Sequence, residues 1–131
     1  MVCVSGEKTG PVYEAFRVLY LWFIVLPILA GLDKIFQISG VWNVYLSPDF
    51  IALLPFTASV FLMILGIIEV IVGIIVAIKP RIGSRIIIVW LLLVTVNLAL
   101  IGASVLDKIF LELGLVVAAV ALARLSVHFC R

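Results

Sequence analysis

From Ile86 to Leu106 the chain reads IIIVWLLLVTVNLALIGASVL, without one charged side chain. A helix crossing a bilayer needs roughly 20 mostly apolar residues, so this stretch by itself predicts a transmembrane helix over 86–106. On its C-terminal side Asp107-Lys108 forms a short polar break, and a second apolar run follows at about 109–129, carrying Glu112 near its start and Arg124 near its end. An arginine so placed can extend its stem toward the headgroups while its helix stays embedded. On the N-terminal side lies KPRIGSR, Lys79 to Arg85, and before it an apolar run at about 55–78 that opens on Pro55, a favourable first-turn residue. A fourth run, at about 12–32, is bounded by Asp33-Lys34.

The composition agrees. Of 131 residues, 66% are hydrophobic and 12% charged, against about 25% charged in an average soluble domain. A chain this short cannot hide so much apolar surface in a water-facing fold. The expected fold is therefore all-α: a transmembrane four-helix up-and-down bundle in a single membrane domain, residues 1–131. The short connections after helices 2 and 3 make those pairs antiparallel neighbours. Val18 to Leu32 is too long for a usual signal core and lacks the small residue expected before a cut after Ala30, so it reads as a retained helix.

The connection at 35–54 is of a different kind. It holds Trp42, Tyr45 and Phe50 with Asp49 as its one charge. Trp and Tyr favour the headgroup zone, so this interfacial segment is expected to lie on the membrane surface or to fold partly back over the bundle. Orientation follows from Lys and Arg near the helix ends. One side collects Lys8, Arg17, Lys79, Arg81, Arg85, Arg124 and Arg131; the other holds Lys34 and Lys108. Both termini are thus expected to be cytoplasmic, with the chain a multi-pass protein of the cell (plasma) membrane.

Several chemistries are disfavoured. The net charge of +2 and the lack of a basic stripe give no footprint for nucleic acid. Cys3 and Cys130 form no Cys-x-x-Cys pair, and His128 is the sole histidine, so no metal site is expected. Gly6-Glu7-Lys8-Thr9-Gly10 lacks the spaced glycines of a phosphate-binding loop. No catalytic residue set is readable.

Glu69 is the most informative residue. It lies ten residues before Lys79, near mid-depth of its helix. An acidic residue at a helix centre costs about 2.5–3.5 kcal/mol on insertion scales and normally faces a protein interior with a partner. Asn97, placed at comparable depth on the third helix, is the expected partner. The pair reads either as a proton or ligand site or as a bond between helices. Asp33, Lys34, Asp107 and Lys108 form a possible polar entrance on the outer face, where quinone head groups or anions could dock, or else solvated helix ends. Arg81 and Arg85 are placed to meet lipid phosphates on the inner face. The pentapeptide Leu32-Asp33-Lys34-Ile35-Phe36 recurs as Leu106 to Phe110, as a duplicated helical hairpin or a coincidence would leave it.

Arg17, then Gly31-Leu32-Asp33-Lys34, then Glu69-Val70-Ile71-Val72-Gly73 followed by Pro80, together with the WNVYLSP segment from Trp42 to Pro48, resembles the DoxX-like family of small four-helix membrane proteins. The resemblance covers roughly the first two thirds of the chain. It implies an accessory or structural integral membrane subunit of a respiratory or sulfur redox complex, quinone-linked, with other membrane subunits as partners and quinone as the cofactor to consider. Arg17, Lys34 and Glu69 match the family's recurrent polar positions. The helices lack the cysteine pairs of related disulfide-forming bundles, which puts thiol exchange in doubt. The rival expectation is a small proton-coupled transporter acting as a dimer through Glu69, and a homo-oligomer is compatible with either.

Overall fold

The computed structural model describes residues 10–38 and 47–129. Every element among them is helical: α1 (Pro11–Phe36), α2 (Pro48–Leu53), α3 (Ala58–Ile78), α4 (Pro80–Ile101), a 3-10 turn (Ala103–Val105) and α5 (Leu106–Phe129). Proline opens α1, α2 and α4, where its missing N–H costs nothing and its φ is already helical. Three helices, α1, α3 and α4, are long and apolar enough to cross a membrane. Their outward faces carry Leu29, Ile71, Val89, Leu93 and Val96 in exposed positions, while Lys34, Ser47, Glu69, Ser84 and Ser126 are buried. Apolar residues outside and charge inside is the arrangement a lipid solvent selects.

The helix boundaries differ from those expected. Asp33 and Lys34 do not end α1; the helix runs on to Phe36 and stops at Gln37, in the left-handed conformation at φ 51. α3 begins after Thr57, whose side chain caps Val60 N–H, and not at Pro55. The largest shift is in α4. KPRIGSR is not a loop: Lys79 alone joins α3 to α4, and Pro80 to Arg85 form the first turns of α4. α4 then stops at Ile101 because Gly102 takes φ 114, ψ −162, a region essentially closed to residues with a Cβ. α5 starts at Leu106, three residues before the expected 109. Trp42 and Tyr45, on which the interfacial reading leaned, lie outside the described residues.

Contacts fix the directions. Tyr20 donates its hydroxyl proton to the Ala77 carbonyl, and Gly31 meets Gly66 with no room for a Cβ on either, so α1 and α3 are antiparallel. Gly83 abuts Val76, which makes α4 antiparallel to α3. Phe16 and Tyr13 near the start of α1 meet Phe129 at the end of α5, with ring centroids 5.0 and 5.6 Å apart. The ends of α1 and α5 so joined lie at the Lys79 end of the molecule; the Gly102 turn marks the other. The core sits toward the Lys79 end, where Phe16, Tyr20, Phe23, Val76, Leu122 and Phe129 are buried together. The repeated pentapeptide closes α1 but opens α5. Its two copies therefore do not hold equivalent places in their helices, as a duplicated hairpin would require.

Candidate functional site

α1 and α3 approach closely because Gly31 and Gly66 are both bare: a Cβ on Gly31 would stand 2.4 Å from the Gly66 carbonyl oxygen. Small residues are what allow helix backbones this close in a membrane. One turn beyond the contact, on each helix, comes an ionisable side chain. Helical side chains tilt toward their own N-terminus, so in this antiparallel pair Lys34 leans toward the Lys79 end and Glu69 toward the Gly102 end. They meet. The Lys34 ammonium donates to both Glu69 carboxylate oxygens, at 2.9 and 3.0 Å, and both side chains are about 90% buried. Trp90 of α4 adds a third bond, its indole N–H donating to Glu69 Oε1 at 3.3 Å.

The expected Glu69–Asn97 pair is thus replaced. With α4 beginning at Pro80, the residue level with Glu69 is Trp90, and Asn97 lies seven residues, about 10 Å, farther toward the Gly102 end. There its side-chain oxygen accepts the backbone N–H of Ser47 at 3.0 Å. That bond ties the start of α2 over the bundle.

Between the helices is a cavity of about 520 Å³, lined by Lys34, Glu69, Trp90, Asn97 and Glu112 among the polar groups and by Phe23, Pro27, Leu62, Val72, Ile87 and Leu115 among the apolar ones. Pro27 lies inside α1 and carries no N–H, so the Phe23 carbonyl loses its usual intrahelical donor on this wall. Of its lining on α3 and α4, Leu62, Glu69, Val72, Ile87, Leu91 and Leu98 are buried and Leu65, Trp90, Val94 and Asn97 half-buried. On α1 Phe23 and Lys34 are buried and Leu26, Ala30 and Asp33 half-buried, as are Lys108, Glu112 and Leu115 of α5. The cavity thus has half-buried groups on all four helices. Toward the Lys79 end it stops against the packed layer of Phe16, Val76 and Leu122.

Of the residues singled out by sequence, Asp33, Lys34, Glu69, Asn97 and Lys108 come together on this cavity. Asp107 does not; its side chain is 72% exposed and stands 3.9 Å from Lys108. Arg81 and Arg85 are exposed in the first turns of α4, and Arg17 is exposed on α1, 17 residues from Lys34 and so about 25 Å away. Two participants were not anticipated. Trp90 comes level with Glu69 only because α4 begins at Pro80. Glu112 was read as a charge at a helix end, yet it lines the cavity and its Oε2 is buried without a hydrogen-bond partner among the described residues. No group of three or more His, Cys, Asp or Glu that could hold a metal ion occurs among the described residues.

No protein-family model matches the chain, and no curated protein or solved structure matches it either.

Proposed function

We propose that the chain is a DoxX-like, accessory integral membrane subunit of a respiratory or sulfur redox complex linked to quinone. In this reading α1, α3, α4 and α5 form a transmembrane four-helix up-and-down bundle in the plasma membrane, with both termini cytoplasmic. The observation that carries it is the buried Lys34–Glu69 pair, which joins two of the three polar positions of the resemblance. The pair lies on the wall of a cavity of about 520 Å³, a size usual for small-molecule sites. The polar segment of the site faces the Gly102 end, so a partner or a quinone head group would be met on that side. Gentle detergent extraction followed by native mass analysis tests the reading. Other membrane subunits should co-migrate with the chain; a chain that travels alone, or only with itself, overturns it.

The transporter reading draws on Glu69 standing in mid-helix. Against it, the carboxylate is already held by Lys34 and Trp90, and the packed layer of Phe16, Val76 and Leu122 would have to open for any substrate to pass. Flux in proteoliposomes with wild type and Glu69→Gln checks it: transport that is unchanged, or absent from both, removes the idea.

A further inference from the structure

Every hydrogen-bonding carboxylate on the cavity wall should find a partner, because an unsatisfied buried polar atom costs about 1–3 kcal/mol. Glu69 has its partners in Lys34 and Trp90. Glu112 Oε2 is buried and has none among the described residues. It sits on α5, half-buried on the wall of a cavity whose lining is mostly apolar. Its lining is mostly apolar, so an apolar occupant is favoured. What satisfies Glu112 must also donate a hydrogen bond. The indole of Trp90 and the side chains of Leu26 and Leu115 supply a wall for the apolar part.

We infer that the cavity is a binding site for a lipophilic hydroxyl-bearing ligand that donates its hydroxyl proton in a hydrogen bond to Glu112. The inference rests on the membrane setting proposed above and names the ligand class of the same site. Two sources share this chemistry: the hydroxyl of a hydroquinone and the hydroxyl of a bilayer lipid. The Lys34–Glu69 pair fixes the wall opposite Glu112 and is not itself the acceptor.

Titration calorimetry of the full chain in detergent, under anaerobic conditions without added reductant, provides the test. The probes are an alkyl hydroquinone, the corresponding oxidised quinone and a monoacylglycerol of matched chain length. Saturable binding of the hydroquinone or the monoacylglycerol is expected, and which of them binds identifies the source. The oxidised quinone, which has no hydroxyl to donate, should bind at least about tenfold more weakly than the hydroquinone where the latter binds. Glu112→Leu removes the acceptor and an unpaired buried oxygen together, so it should fold and should weaken binding by about tenfold or more. Ala30→Phe fills part of the cavity without touching any charge and should abolish binding, with helicity by circular dichroism unchanged. No binding to wild type, equal binding of quinone and hydroquinone, or unchanged binding to either variant overturns the inference. Native mass analysis of the same preparation separates the two readings. Partner subunits retained without ligand binding sink this inference alone; a solitary chain that binds the hydroxyl donor removes the redox-subunit reading and leaves this one standing.

Discussion

Lys34 and Glu69 are hydrogen-bonded at 2.9 and 3.0 Å although their backbones stand on different levels. Each is three residues past the Gly31–Gly66 contact, in opposite directions along antiparallel helices, which separates them by about 9 Å along the axis. Both side chains extend back across that gap, and the bare glycine contact keeps the lateral distance short enough for them to touch.

Breaking this pair from one side should be costly. Lys34→Met leaves the Glu69 carboxylate buried without its cation, and the expected loss is about 3–5 kcal/mol. Replacing both, as Lys34→Met with Glu69→Leu, should restore most of the stability, since well-packed apolar residues often substitute for a buried pair without net loss. Denaturation in mixed micelles measures both. A double variant as unstable as the single one would show that the pair contributes through more than mutual neutralisation.

Gly31→Ala should be destabilising and Gly114→Ala should not. The added Cβ at Gly31 would lie 2.4 Å from a backbone oxygen, whereas at Gly114 it meets nothing within 4 Å. Overpacking of the first kind costs about 1–3 kcal/mol. The second exchange gains up to about 1 kcal/mol of helix propensity. Thermal unfolding of the two variants side by side decides it, and equal midpoints would contradict the close α1–α3 contact.

Asn97→Leu should act locally. It strips the acceptor from the Ser47 N–H and so loosens the anchor of α2, at a cost of about 1–3 kcal/mol. Hydrogen exchange should accelerate over 47–53 while the middle of α3 stays protected. Uniform acceleration throughout the chain would show instead that Asn97 supports the whole bundle.

The proposed orientation is checked by single cysteines introduced as Lys79→Cys or Lys108→Cys after Cys3→Ser and Cys130→Ser. A membrane-impermeant maleimide should label position 108 on intact cells and position 79 only after permeabilisation. The opposite pattern reverses the orientation.

The helical class and the apolar runs were legible because charges and prolines punctuate them, from Asp107 to Pro80. The site was legible only in part. Placing the start of the third apolar run at Ile86 put Asn97 level with Glu69, and the six extra helical residues from Pro80 to Arg85 shifted that level to Trp90. A Pro at the head of KPRIGSR was compatible with a helix start, but its arginines read as loop. The pairing of Lys34 with Glu69 is hidden for another reason: charges at the end of an apolar run resemble a solvated terminus, and only the backbone separation of α1 and α3 reveals that one of them turns inward. A signal was present. Gly31 precedes Lys34 by three residues and Gly66 precedes Glu69 by three, the spacing that places a close contact and a charge on one face of each helix. Glu112 had no such neighbour pattern, and its burial emerges only from the way α5 leans on the cavity.

The placement of Lys34 near one end of α1 and of Glu69 in the middle of α3 also bears on how the chain is made. A lysine near a helix end can reach the headgroups while α1 is alone in the bilayer; a mid-helix glutamate has no such refuge. α1 precedes α3 in synthesis, so the cation is already in the membrane when the acid arrives, and the glycine contact can deliver the two to each other as α3 docks.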